Sequence, residues 1–168
     1  DLEAQVWVQD QVVEVNVDGS WQAQVELQEG LNKILIRAQD SAGNTSTLTL
    51  EIVLDTLPPM IIMTSPIDDT FTNAFPITVS GQVSESDAIV TINGTQVSVS
   101  ESGEFSSQVE LTEGVNAILI HAEDIAGNTA ETSLSVTLDT QTPQITIRSP
   151  NDGLVTGSPS ITIFGTVN

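Results

Sequence analysis

Apolar and polar residues alternate along several short stretches of this chain. In Trp21–Leu27 the apolar positions are Trp21, Ala23, Val25 and Leu27, with Gln22, Gln24 and Glu26 between them. A period of two puts one set of side chains on a buried face and the other in water, which predicts a half-buried β-strand. The same alternation gives Ile34, Ile36 and Ala38 on a strand over 33–39, and Leu48, Leu50, Ile52 and Leu54 on a strand over 46–54. Short strands are also predicted at 6–8 and 12–17, the first carrying Trp7 outward. Between 60 and 138 the pattern predicts seven strands, at 60–64, 77–83, 88–93, 96–100, 104–111, 117–123 and 131–138. No stretch carries a convincing helical period.

The turns between these strands are written in glycine, asparagine and aspartate. Gly30 and Gly114 stand where a corner needs a backbone without a Cβ. Asn32 and Asn116 are placed to bond that corner's backbone. Asn93-Gly94 is a strong hairpin signal, and the corresponding place in the first copy is Gln9-Asp10. In Asp-x-Ala-Gly-Asn the aspartate can cap loop amides, and glycine and asparagine accept positive φ.

These elements recur. Gln24–Thr45 and Gln108–Thr129 match at 16 of 22 positions at a constant offset of 84 residues. Leu54-Asp55-Thr56 matches Leu138-Asp139-Thr140, Ser65-Pro66 matches Ser149-Pro150, and Gly81 matches Gly165 at the same offset. A fixed long period marks tandem modules, and a unit of this size can bury its own core. The chain is therefore divided into residues 1–57, the C-terminal part of a module with about five strands; residues 58–141, a complete module; and residues 142–168, the first two strands of a third. The linkers Asp55–Pro59 and Asp139–Pro143 contain prolines that favour an extended form. Beginning inside a repeat, the chain reads as an excerpt of something longer.

Charge narrows the partners. There are 23 acidic and three basic residues, for a net charge of −20. Residues 1–84 hold 12 acids and two bases, and residues 85–168 hold 11 and one, so each half carries −10. Such a field disfavours nucleic acid and anionic membranes and favours multivalent cations. The absence of cysteine removes disulfides and thiolate metal sites. No stretch is long enough to insert in a bilayer.

Seven short strands with frequent turns predict a two-sheet sandwich. The pattern Ile92-Asn93-Gly94, then Gly103 and Phe105, then Val109 through Thr129, closed by Asp139 and Pro143, resembles bacterial immunoglobulin-like repeats. The group it is most similar to is named after domain B of glucodextranase. The resemblance implies an all-β fold of tandem seven-stranded immunoglobulin-like β-sandwiches, one complete module flanked by two partial ones. It also implies an extracellular or cell-surface setting, since such modules serve as stalks of bacterial adhesins and as accessory domains of secreted carbohydrate enzymes. The expected role is a stalk, spacer or fibre repeat; the alternative is a carbohydrate-binding or adhesive accessory module. The expected partners are neighbouring modules of the same chain or fibre, and other copies of the chain.

The candidate chemistry lies at the module junction. In a sandwich of this topology the chain leaves at the end opposite its entry. Asp55 then sits at the base of the first module. The loop with Glu85 and Asp87 and the turn with Asp124 and Asn128 sit at the top of the second. These oxygens are expected to converge as a calcium site, since calcium takes six to eight oxygen ligands with several carboxylates. The competing reading is that Asp124 only caps its own turn and Asp55 is a solvated linker residue. Asp68-Asp69 is a lesser candidate, because its counterpart Asp152-Gly153 keeps one acid and reads as a turn. His121, the only histidine, stands opposite Arg37 in the repeat and reads as an outward surface residue. Glu110 and Glu113 recur as Glu26 and Glu29, on an outward face and a corner. No spacing implies a nucleophile–base pair or a catalytic cleft, so no enzyme activity is expected.

Overall fold

The computed structural model describes residues 4–168; residues 1–3, at the start of the 1–57 segment, lie outside the described residues. Every regular element among the described residues is a β-strand. Strands β1 (Gln5–Val8), β2 (Gln11–Val13), β3 (Gly30–Gln39) and β4 (Thr45–Leu54) form one antiparallel sheet in the order β2-β1-β3-β4.

The next eight strands build a sandwich. They are β5 (Ile61–Ser65), β6 (Thr70–Thr72), β7 (Ile77–Val83), β8 (Ile89–Ile92), β9 (Thr95–Val97), β10 (Glu104–Val109), β11 (Gly114–Glu123) and β12 (Thr129–Leu138). One sheet runs β10-β7-β5 and the other β6-β12-β11-β8-β9. Val79, Val83 and Phe105 of the first meet Val90, Ile118, Ile120 and Val136 of the second in one buried cluster. The inward residues are those the alternation selects: Ile118, Ile120 and Ala122 are fully buried, while Leu119 between them is exposed. This is the immunoglobulin-like β-sandwich implied by the resemblance. Strands β13 (Ile145–Ser149) and β14 (Phe164–Val167) form a separate antiparallel pair.

Two elements differ from the sequence pattern. Strand β6 was not expected: it is three residues long, its central Phe71 points to solvent, and it pairs in parallel with the end of β12. Asp68 secures it, since its Oδ1 accepts a 2.8 Å bond from the Ser135 amide. The strand expected over 21–27 is absent apart from a single bridge between Val15 and Trp21. Its counterpart β10 exists because it pairs with β7 through six residues. Among the described residues no such neighbour lies beside residues 21–27, and a strand without a ladder leaves its amides to water. Missing cover also explains Leu48 and Leu50, which face the same way as the buried Leu134 but stay exposed.

The turns obey backbone chemistry more than residue identity. Gln9 and Asp10 have φ of 51° and 64°, matching Asn93 and Gly94 at 49° and 77°. Both hairpins therefore use a turn with two positive φ values, the form that fits strand twist. In each, the first turn residue's amide donates to a carbonyl of the neighbouring strand, Leu35 or Leu119.

The contrast between covered and uncovered faces yields a direct test. Leu134→Ala should destabilise the 58–141 module by about 2–5 kcal/mol, the usual range for a buried leucine. In dilute solution Leu50→Ala, one period earlier, should change stability by about 0.5 kcal/mol or less. Urea unfolding followed by circular dichroism reads the first, and the fluorescence of Trp7 and Trp21, both within residues 1–57, reads the second.

Candidate metal centre at the module junction

The junction is built from three local motifs that recur with the period. In the first, Asp124 organises the turn after β11. Its Oδ1 accepts the amides of Ala126 and Asn128 at 2.9 and 2.8 Å, and its Oδ2 accepts the Asn128 side-chain amide at 2.8 Å. Asp40 and Asn44 make the same pair of contacts in the first module, at 2.8 and 2.7 Å. Burial pushes the Asp124 carboxyl up, but the bonds from Asn128, Ala126 and Gly127 outweigh it and leave its pKa below the ordinary 3.8.

The second motif is the corner before β3 and β11. Asn32 Nδ2 donates to the carbonyls of Gln28 and Gly30 at 2.7 and 2.8 Å. Asn116 repeats this to Thr112 and Gly114 at 2.7 and 2.9 Å. The adjacent glycines have φ of 88° and 91°, a conformation that glycine adopts without strain.

The third motif grips the linker. Thr56 donates its amide and its hydroxyl to the Glu29 carboxylate at 3.2 and 2.9 Å. Thr140 does the same to Glu113, with its hydroxyl at 2.9 Å. Asp55 Oδ1 then accepts the Leu57 amide at 3.1 Å, as Asp139 accepts that of Gln141 at 3.0 Å. The sequence reading missed this clamp, since nothing in the alternation pairs the two segments; the joint recurrence of Glu29 with Thr56 and of Glu113 with Thr140 is the signal that could have found it.

At the first junction these motifs meet. Asn128 Nδ2 bonds Asp124 and also the Asp55 carbonyl at 3.1 Å, 73 residues away in sequence. Carboxylate oxygens of Asp55, Glu85 and Asp124 all lie within 4.8 Å of one another. Of the five expected residues, the structure gathers these three carboxylates and uses Asn128 as the bond that joins turn to linker. Asp87 lies outside the trio, on the exposed part of its loop, though its charge still acts on Glu85. Asp124 does cap its own turn, and it does so while facing the other two acids. It is 5% exposed, whereas Asp40 in the equivalent turn is only half-buried. Pro59 of the linker is also fully buried.

These three carboxylates are the residues that could hold a divalent cation. Oxygens about 2.4 Å from a shared calcium stand at most about 4.8 Å apart, a condition the trio meets and one that three carboxylates alone do not complete, since calcium takes six to eight oxygens. Without an ion the cluster opposes itself: burial first, then the charges of Asp124, Asp55 and Asp87, raise the Glu85 carboxyl above its ordinary 4.5. The other candidates do not gather ligands. Asp68 is bonded to Ser135, and His121 lies opposite Glu131 on β12 with Arg37 as its counterpart.

A raised folded-state pKa on an acid means that the ionised form is penalised in the folded protein. For Glu85 that penalty is fully present at neutral pH and disappears as pH falls below the ordinary value of 4.5. Glu85→Gln should therefore raise the melting temperature at pH 7 in chelator, with the gain vanishing in strong acid. For Asp124, with its lowered pKa, the stabilisation is present above 3.8 and is lost as pH falls through the depressed value. Asp124→Asn should destabilise at pH 7, with the difference shrinking at lower pH. Thermal unfolding across pH checks both signs.

A family model described as glucodextranase, domain B, matches residues 2–56 and again residues 59–140. Bacillopeptidase F of Bacillus subtilis (strain 168) is 32% identical over 126 residues, which cover 73% of this chain and 9% of that protein. The chain thus spans under a tenth of that relative's length. Among solved structures, the fibronectin(III)-like modules of Clostridium thermocellum CbhA share 15% identity with a TM-score of 0.48, over 82% of this chain and 77% of that one. The protocadherin GammaB4 extracellular domain shares 14% with a TM-score of 0.44, over 98% and 32%. Two consecutive family matches, each ending at one of the Asp-Thr linkers, show that this chain belongs to the glucodextranase domain B family of immunoglobulin-like accessory domains.

Proposed function

We propose that this chain is a structural spacer: a stalk or fibre segment of a secreted or cell-surface prokaryotic protein, whose module junctions are stiffened by calcium. The observation that carries this reading is the linker held at both ends. Thr56 is clamped to Glu29 of the module before it, and the Asp55 carbonyl is bonded to Asn128 of the module after it. A flexible tether would leave those groups to water. Calcium bound by Asp55, Glu85 and Asp124 would neutralise the repulsion that now strains the junction, with Asp87 and water completing its shell. The charge of −20 keeps such beads soluble and separate elsewhere on their surface. In this reading the chain does no chemistry of its own; it holds another part of its protein at a distance.

Thermal unfolding with calcium and with chelator tests the ion. For an extracellular-type affinity of about 0.1–1 mM, roughly 10 mM calcium stabilises by about 1.4–2.7 kcal/mol. The expected result is a clear rise in melting temperature that Asp55→Asn and Glu85→Gln remove. An equal shift in those variants, or none in the native chain, sinks calcium at this junction. Asn128→Ala should loosen the junction as well as its turn, whereas Asn44→Ala should affect only a turn. Small-angle scattering, which reads the maximum dimension, separates the two outcomes.

A further inference from the structure

The complete module starts in both of its sheets. β5 pairs with β7 in one, and after residues 66–69 the chain crosses to the other, where β6 pairs with β12. That second pairing is parallel, with Thr70 beside Val136, Phe71 beside Thr137 and Thr72 beside Leu138. Every other strand pair among the described residues is antiparallel. β6 adds little to the core: none of its three residues is buried, and Phe71 is 76% exposed. Yet a bond brackets the pair at each end. Before it, Asp68 Oδ1 accepts the Ser135 amide at 2.8 Å; after it, the Thr72 carbonyl accepts the Asp139 amide at 2.9 Å.

The repeat tells the two acids of the preceding turn apart. Asp69 has a φ of 60° and its counterpart Gly153 one of 79°, so that position needs left-handed backbone and no carboxylate. Asp68 is kept as Asp152, and each of the two accepts the next residue's amide at 3.1 Å. In the complete module Asp68 also reaches across to β12. The acid that persists is the one that ties the start of the module to its last strand.

The linkers give this tie a direction. The incoming linker is bonded through the Asp55 carbonyl to Asn128, the residue before β12, and the outgoing one starts at Asp139, the residue after it. Tension between the linkers therefore runs along β12, and along β6, which points the same way. It draws β6 toward the start of β12 and β12 toward its exit. The bonds between the two strands are then sheared together instead of opening one at a time. β5, held by β7, shares the load in the other sheet.

We propose that the parallel pair β6–β12, with Asp68 as its positioning residue, is a lock that keeps the module folded under tension between its linkers. The lock rests on the spacer reading for its use, but not on calcium. Resistance to pulling is set by the unfolding rate under load, so a short ladder in the load path counts for more than its buried area.

The native chain has no cysteine, so paired cysteines can serve as attachment points for an optical trap. Leu57→Cys with Gln141→Cys loads the complete module along its linkers. Gln96→Cys with Glu110→Cys loads β9 and β10 and leaves β6 and β12 slack. All of these positions are exposed. At constant force along the linkers, Asp68→Ala should shorten the folded lifetime about 10–100-fold, the worth of one bond to a charged group. Between residues 96 and 110 it should change the lifetime far less. Asp69→Gly should match the native chain in both directions. Asp68→Asn keeps an oxygen acceptor without the charge and should shorten the lifetime by less; it carries the test if the alanine variant loses its circular dichroism. Measured in chelator, these lifetimes can fail while the calcium shift in melting temperature stands, and the reverse. The lock is overturned if Asp68→Ala and Asp68→Asn leave the linker-direction lifetime unchanged, or shorten both directions alike.

Discussion

The geometry of the junction depends on one side-chain amide. Asn128 joins the Asp124 carboxylate of its own turn to the Asp55 carbonyl of the incoming linker. Without it the Asp124 turn and the linker have no bond between them, and three carboxylates would be free to move apart. The general charge of the chain pushes in that direction. Short, directional bonds prevail because a net charge spread over the surface is screened within about 10 Å, whereas a charge-assisted bond at 2.8 Å is local. The result is a cluster of like charges in which burial first, then the charges of Asp124, Asp55 and Asp87, raises the Glu85 carboxyl.

The same logic runs through the rest of the fold. Each module is a set of half-buried strands whose stability lies in the face they share. Where both sheets are present, Ile118, Ile120 and Val136 are sealed. Where one is missing, identical alternation produces exposed leucines, and residues 21–27 cease to be a strand. Sequence sets the capacity to form that strand, and a neighbour decides whether it forms. Local motifs are less dependent on company. The Asp-x-Ala-Gly-Asn turn, the asparagine corner and the Glu–Thr clamp all persist in the partial first module with nearly the same distances as in the complete one.

That division explains what could be read in the amino-acid sequence. Period-two patterning gave the strands and their inward faces, and the 84-residue offset gave the modules. The convergence of Asp55 with Glu85 and Asp124 followed from topology alone, because a chain that crosses a sandwich must place its linker against the next module's turns. Three features were not legible. Thr70–Thr72 is too short and too exposed to show a pattern, and only its parallel pairing on β12 makes it a strand. Glu29 and Glu113 looked like ordinary corner acids, since their threonine partners lie 27 residues on. The reach of Asn128 to a backbone carbonyl needs coordinates, because nothing in the sequence pairs two positions 73 residues apart.

Asn128 ties the linker to the second module, and on the proposed reading a divalent cation then sets one preferred junction geometry. The most direct measurement is a distance distribution between spin labels on Thr49→Cys and Ser133→Cys. These are exposed positions one period apart on equivalent strands, in a chain with no other cysteine. Pulsed electron resonance in calcium should give a single narrow distance that broadens in chelator. A broad distribution in both conditions, or a narrow one indifferent to calcium, would contradict the account.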